Sequence, residues 1–228
     1  MDAGVEARFA EGNVVGDLAM GLFGDFVEVT TMTEDGRLDL SAMIVKTQEE
    51  MLRGTEVICE ASFSYRNADE SNYCAVDILR KTASGWAIYE VKSTTSHVAD
   101  VATMSKELVD KVEKYAKDIA FQKWVLVQCG VKVTGTYLVT LNSDYVRQGD
   151  LDVQQLFNVI DMKELVENEY LKVPTQQRLA HTALQGDEPQ KGIGMHCNDP
   201  YQCAFWNYCT RQVGLDLEND KTTVFDLY

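Results

Sequence analysis

The sequence has no run of about 18 or more apolar residues, the length that a membrane-spanning helix requires. Its first residues, MDAGVEARFAEGN, have neither the basic nor the apolar segment of a secretory signal peptide. We therefore expect a cytoplasmic protein that does not engage a membrane. In that reducing setting the six cysteines are expected to be reduced, buried or metal-bound rather than bridged.

Basic residues are also scarce, with 21 Lys and Arg against 36 Asp and Glu and a net charge of −15. This balance argues against a nucleic-acid partner, because a phosphate backbone attracts Lys and Arg. The acidity is uneven, however: residues 1–60 carry 4 basic and 13 acidic residues, whereas residues 61–150 carry 11 of each. Clustered carboxylates can also bind a cation, so the charge lowers the expectation of nucleic-acid binding without excluding it.

The 228 residues contain no internal repeat or low-complexity tract, and their patterns predict an α/β (α+β-like) domain with a mixed central sheet. Helical spacing appears over 5–22 and over 98–129. The stretch 40–54 begins like a strand and continues as a helix that ends at Gly54. Strands are predicted over 26–30, 55–65, 73–81, 86–94 and 135–142, and residues 153–173 are expected to be helical or a strand followed by a helix.

Glu90 and Lys92 lie two residues apart in the predicted strand WAIYEVKST, so both side chains point to the same face. Joining this strand to YCAVDILRK through TASG predicts a hairpin that pairs Lys81 with Trp86. That register places Asp77 directly opposite Glu90, with Cβ atoms ~4.5–5.5 Å apart. Two such carboxylates repel each other, and a Mg²⁺ ion between them would turn the repulsion into coordination. The alternative is an exposed hairpin face on which Lys92 neutralises the two acids, and these residues alone leave both interpretations open.

Asp77, followed by EVK at 90–92 and a long helix, resembles the PD-(D/E)XK nuclease superfamily. More narrowly, the layout resembles its RecB-like branch, including CRISPR-associated iron–sulfur exonucleases and a bacterial family of RecB-like nucleases. Five segments resemble successive blocks of those proteins in order: EASFSY, CAVDILRK, YEVKSTTS, AFQKWVL and HCNDPYQCAFWNYC. The resemblance runs from about residue 8 to the end. It implies a restriction-endonuclease-like sheet flanked by helices, with a nuclease core over 1–190 and a cysteine-containing tail over 191–228.

The activity implied by this resemblance is that of a Mg²⁺- or Mn²⁺-dependent deoxyribonuclease, an exonuclease acting on single-stranded DNA or duplex ends. Asp77 and Glu90 would be metal ligands together with the Val91 carbonyl, and Lys92 would be the catalytic lysine. The cation would polarise the phosphoryl oxygen and activate the attacking water. Supporting roles are implied for Glu60 and Gln122.

Two positions depart from the RecB-like pattern. The first-helix His of that pattern is replaced by Gly16, with Asp17 beside it as a candidate ligand, and the tyrosine expected after Gln122 is Leu126. These departures keep a second hypothesis open. In it, the chain is a catalytically silent module that retains the fold and binds nucleic acid or protein.

Cys197, Cys203 and Cys209 recur at five-residue gaps in the tail, and Fe–S clusters are held by cysteine thiolates. In the resembling nucleases, three C-terminal cysteines join one upstream cysteine to bind a 4Fe–4S cluster, and that upstream residue is absent here. Either the fourth ligand is missing from this piece of the protein, or His196 or another group completes a different site such as zinc. Three unligated thiols are the third possibility. The apolar ending TTVFDLY favours a further domain in a longer protein.

The other three cysteines occur in strand-like or helix-like segments. We expect them to be core residues: Cys59, Cys74 and Cys129.

Overall fold

The computed structural model describes residues 3–67, 71–97, 101, 104–198 and 202–214, with backbone only for 3–9, 108 and 111. It divides the chain into two compact units, Met1–Arg178 and Leu179–Tyr228. The division at residue 190 that the resemblance implies stays a prediction. None of the helices in the described ranges is long and apolar enough to cross a membrane.

The first unit is built on a mixed sheet whose described part has six strands, which lie side by side in chain order. They are β1 (Val27–Glu28), β2 (Val57–Arg66), β3 (Ser71–Thr82), β4 (Gly85–Ser96), β5 (Val133–Asn142) and β6 (Phe157–Asp161). The pairs β1–β2 and β4–β5 are parallel, and the other neighbours are antiparallel. The predicted fold class, a mixed sheet flanked by helices, is confirmed.

The described helices are α1 (Ala3–Met20), α2 (Leu40–Arg53), α3 (Lys106–Gln128), α4 (Val153–Leu156), α5 (Lys163–Tyr170), α6 (Val173–Gln185) and α7 (Trp206–Gln212). The prediction that 40–54 begins as a strand is wrong, because the Asp39 side chain accepts a hydrogen bond from the Ala42 amide and caps the helix at its first turn. The helix predicted over 98–129 begins later, at Lys106. Gly54 ends α2 with a φ of 85°, as its place in the sequence indicates.

Two buried clusters, one on each face of the sheet, form the core of the first unit. Alternate strand residues divide between them: Leu79, Ile88 and Leu138 belong to one cluster, and Ile78, Tyr89 and Val139 belong to the other. The first cluster also contains Val112, Ala116, Ile119, Ala120 and Trp124 of α3, and the second contains Ala19 and Met20 of α1. The sheet therefore lies between α3 and α1. These two helices cover its opposite faces.

Candidate active site

The hairpin of β3 and β4 has the predicted register. Lys81 pairs with Trp86, and one further pair, Thr82 with Gly85, tightens the connection to a two-residue turn. Because side chains alternate with period two, this register determines which residues meet farther along the two strands.

The β3–β4 ladder runs only as far as the pair Ile78–Tyr89. Beyond it β3 continues to pair with β2, and β4 continues to pair with β5, so the two strands part. Asp77 and Glu90 are the first residues past the last pair. They lie where the fork opens. The prediction that Asp77 stands directly opposite Glu90 in the ladder is wrong, because the last pair of the ladder is Ile78–Tyr89 and the strands part beyond it.

Asp77 bridges this fork. Its Oδ2 accepts a hydrogen bond of 2.6 Å from the Val91 amide. Burial and the neighbouring Glu90 carboxylate raise the pKa of Asp77 to about 8, although the Val91 amide opposes the change. An ionised Asp77 is therefore costly here unless a cation offsets its charge.

The Glu90 carboxylate is buried, with 5% of its surface exposed. Its Oε1 accepts a hydrogen bond of 2.5 Å from Lys92 Nζ, and its Oε2 accepts one of 2.6 Å from Gln122 Nε2. The structure thus brings Gln122 of α3 to the same carboxylate as Lys92. A carboxylate has about four lone-pair directions, so both oxygens retain capacity for a cation.

Lys92 contacts two acids, because its Nζ lies 3.6 Å from Asp118 Oδ2 and donates a hydrogen bond to Glu90 Oε1. Burial alone would lower the pKa of Lys92, but the charges of Glu90 and Asp118 outweigh it and the net pKa is raised. The side chain is therefore an ammonium group that can donate hydrogen bonds and offset negative charge. It is poorly suited to act as a general base.

Two contacts of Lys92 were missed by sequence reasoning. Its Nζ lies 5.5 Å from the centroid of the Tyr115 ring, in a cation–π contact, and it also meets Asp118. Tyr115, Asp118 and Gln122 follow one another at spacings of three and four on α3. That spacing puts side chains on one helix face and was the signal available in the sequence.

Glu60 lies beside Asp77 at an irregular step in the sheet. Its neighbours Cys59 and Ala61 pair with Ile78 and Val76, yet Glu60 itself has a φ of 57°. Ile58 and Ala61 pack into the same core cluster although they are three residues apart, and the same holds for Val76 and Leu79. In both strands the regular alternation of faces therefore shifts by one residue at this step. As a result the side chains of Glu60 and Asp77 point away from that cluster.

A cleft of about 610 Å³ opens at this step, on the α1 side of the sheet. Four carboxylates line it: Asp17, Glu28, Glu60 and Asp77. Burial, followed by the charges of Glu28, Glu90 and Asp17, raises the pKa of Glu60. Asp17, the candidate substitute for the absent His, thus faces the same space as Asp77. Glu28 was missed because only the parallel pairing of β1 with β2 places it next to Cys59 and Glu60.

The two positions that depart from the RecB-like pattern, Gly16 and Leu126, have different surroundings. Gly16 lines the cleft, and a Cβ added there would meet nothing within 4 Å. Leu126 is fully buried in the cluster between α3 and the sheet. The His position therefore opens on the site, whereas the tyrosine position belongs to the core.

The oxygen-rich donor set suits Mg²⁺ or Mn²⁺, which prefer carboxylates. Within the part of the chain that the structure describes, no group of three or more His, Cys, Asp or Glu is arranged to hold a metal ion. The residues present fit a cation held by one or two carboxylates, with water or substrate oxygens completing its shell. That Asp77 and Glu90 hold such a cation stays a prediction.

In the second unit the tail cysteines lie close in the chain but do not form such a group among the described residues. Cys197 is buried, Cys203 and Cys209 are half-buried, and the Cys203 amide donates to the Cys197 carbonyl at 2.7 Å. A cluster or zinc ion at this tail stays a prediction. All six cysteines, each within the described residues, are unbridged.

Of the three cysteines expected in the core, Cys59 and Cys74 are buried, and burial raises the pKa of each to about 12. Cys129 is exposed, and that prediction is wrong. It follows the last residue of α3, past the helix face that packs on the sheet. Its Sγ donates to the Ser64 carbonyl at 3.5 Å.

No protein-family model and no curated protein matches the chain. Among solved structures, it is similar to a crystal structure titled "putative exonuclease" from Eubacterium rectale. The identity is 14% and the TM-score 0.42, with 86% of this chain and 68% of the other covered. An overlap this loose leaves function to be argued from the site itself.

Proposed function

We propose that the protein is a divalent-cation-dependent nuclease that hydrolyses phosphodiester bonds in DNA. The observation that carries this proposal is the group formed by Asp77, Glu90 and Lys92 where β3 and β4 part. The Glu90 carboxylate makes ionisation of Asp77 less favourable and so helps to raise the pKa of Asp77. The charged Lys92 forms an ion pair with Glu90. Perturbed acids of this kind concentrate at functional sites.

A bound Mg²⁺ or Mn²⁺ would supply Lewis-acid stabilisation of the phosphoryl oxygen and an acidified water. Asp77 and Glu90 provide oxygens for it, and the Val91 carbonyl is the further ligand that the family resemblance implies. Gln122 restrains the Glu90 carboxylate through Oε2. Lys92 keeps its proton, so its role is to donate to a phosphate oxygen or to the attacking water rather than to remove a proton.

Action on DNA ends, as an exonuclease of the RecB-like branch, is a further part of the proposal. It is supported by the resemblance of the segments around Glu60, Asp77, Glu90 and Gln122. The rival function is a silent module that binds nucleic acid or protein. It is favoured by one observation, that Gly16 leaves open space where the pattern has an imidazole.

We expect the wild-type chain to degrade end-labelled single-stranded or duplex DNA with Mg²⁺ or Mn²⁺ and to stop in EDTA. Lys92→Ala should lower the rate roughly 100-fold or more, since it removes a charge aimed at the developing negative charge. Gel analysis of the products measures both the rate and the preference for ends.

The matched control is Lys163→Ala, which removes an exposed lysine from α5 and should leave the rate unchanged. A wild-type chain that cuts nothing, or Lys92→Ala cutting at the wild-type rate, contradicts the nuclease proposal. DNA binding without cutting would favour the silent module.

For the tail, we propose that Cys197, Cys203 and Cys209 contribute to a 4Fe–4S cluster or a zinc site. The support is their even spacing and the RecB-like resemblance. Metal analysis of anaerobically purified protein should find iron or zinc, and the finding of neither would exclude both.

A further inference from the structure

The segment between β1 and α2 forms a short hairpin, residues 31–39, which we call the lip. Met32 and Leu38 form an antiparallel bridge within it, and the Asp39 amide donates to the Thr31 carbonyl at 2.8 Å. The Thr33 amide donates to the Arg37 carbonyl at 2.7 Å, nearer the tip. Backbone bonds therefore hold the lip in a defined shape although it lies outside the main sheet.

The lip presents apolar side chains beside the acidic cleft. Met32 is 56% exposed and Leu38 is 53% exposed, and as directly bridged residues they lie on the same face of the hairpin. Leu38 lines the cleft that also contains Glu60 and Asp77. An apolar edge is thus continuous with the proposed catalytic carboxylates.

The charge of the cleft limits what can bind to it. Of the described residues that line it, four are acidic and none is Lys or Arg. A nucleic-acid strand that enters here meets no basic side chain of the lining to hold its phosphates, apart from any cation at Asp77. Its bases, in contrast, have apolar faces that suit Met32 and Leu38.

We propose that Met32 and Leu38 pack against an unpaired base of the nucleic-acid strand whose phosphate is held at Asp77 and Glu90. The inference rests on the proposed nuclease function and specifies its substrate. In a duplex, base faces are covered by their neighbours in the stack. In a single strand or a frayed end they are free to contact the lip, so the lip selects unpaired nucleotides.

The experiment compares Met32→Ala/Leu38→Ala with wild type on two single strands of equal length, one with all its bases and one fully abasic. On the normal strand the double variant should lose roughly 10-fold in kcat/KM, near the lower end of the loss when an aromatic residue that stacks on a base is removed. On the abasic strand it should match wild type, because no base is present to contact. The matched control is Leu52→Ala, which removes an 88% exposed leucine of α2 and should change neither rate.

Equal losses on both strands would mean that the lip acts through the structure of the site, and no loss on either would mean that it does not touch substrate. Both outcomes overturn the inference while the nuclease function stands. If the wild type cuts neither strand, the proposed function fails and the inference falls with it. Circular dichroism melting of the double variant separates lost folding from lost contact.

Discussion

At the residue scale, the site departs from regular strand geometry where its acids lie. Glu60 has a positive φ, which costs a non-glycine residue about 1–3 kcal/mol. The phase change at Glu60 and Asp77 turns both acids towards the α1 cleft, whereas Glu90 and Lys92 meet α3. Glu28, Glu60 and Asp77, from three adjacent strands, thus line the α1 cleft, and Glu90 lies on the α3 side.

The raised pKa of Asp77 predicts a pH-dependent stability. The folded chain holds this proton up to about pH 8, whereas the unfolded chain releases it near the ordinary value of 3.8. Between these values the folded state binds more protons, so the free energy of unfolding falls as pH rises. In EDTA at about pH 8, Asp77→Asn should therefore melt at a higher temperature than wild type, and the difference should shrink towards pH 4.

Mn²⁺ should reverse that order, because it stabilises only a chain that offers it the Asp77 carboxylate. Thermal melts with and without the cation measure the effect. The control is Asp187→Asn, which changes an exposed carboxyl in the second unit. A lower melting temperature for Asp77→Asn in EDTA at the upper end of the pH range would show that Asp77 stabilises the fold instead.

At the element scale, the tight turn between β3 and β4 determines the register and so the position of the fork. Gly85, the first residue of β4, lies against the chain that leads into β5, where an added Cβ would come within 2.3 Å of the Lys132 carbonyl oxygen. That oxygen accepts a hydrogen bond from the Trp86 amide at 2.9 Å and cannot move without breaking it. The turn and the start of the β4–β5 ladder therefore require a residue without a Cβ at position 85.

Gly85→Ala should lower the free energy of unfolding by about 1–3 kcal/mol or more, the usual range for an overpacked site. Urea unfolding followed by circular dichroism measures it. Gly21→Ala is the control, since a Cβ there meets nothing within 4 Å. Equal stability of the two variants would be evidence against the close approach of Gly85 to β5.

The elements differ in how well local patterns predict them. Strands β2 to β5 are rich in β-branched and aromatic residues, and the short TASG segment separates β3 from β4, so their positions and the Lys81–Trp86 register follow from the sequence. The end of the ladder at Ile78–Tyr89 does not, because it arises when β3 and β4 are drawn apart by their other partners, β2 and β5. The start of helix α2 was predicted as a strand because most of its first residues are apolar. Only the Asp39 cap marks the N-terminus of this helix.

At the scale of the whole molecule, the net charge of −15 opposes a polyanionic substrate. Salt screens that repulsion, whereas for a basic protein salt weakens the attraction. Raising salt from about 50 to about 200 mM should therefore reduce DNA affinity far less than the ~10³–10⁵ loss typical of proteins with many phosphate contacts.

Fluorescence anisotropy with Lys92→Ala, in the presence of Mn²⁺, measures this salt dependence without cleavage. Matched titrations with sucrose, a non-electrolyte, in place of salt control for viscosity and crowding. A steep loss of DNA affinity with rising salt would contradict this prediction. It would mean that a local basic surface binds the DNA despite the net negative charge.

The sequence by itself determined the class of fold, the β3–β4 hairpin and the candidates Asp77, Glu90 and Lys92, because strand spacing and a short turn are local properties. Glu60 and Gln122 became candidates only through the family resemblance. Only the tertiary structure decided which of these touch. It placed Gln122 on Glu90, Asp118 on Lys92, and Glu28 and Asp17 in the cleft with Glu60, through contacts between elements far apart in the chain. Such contacts depend on how helices and strands pack, which no spacing within one element encodes.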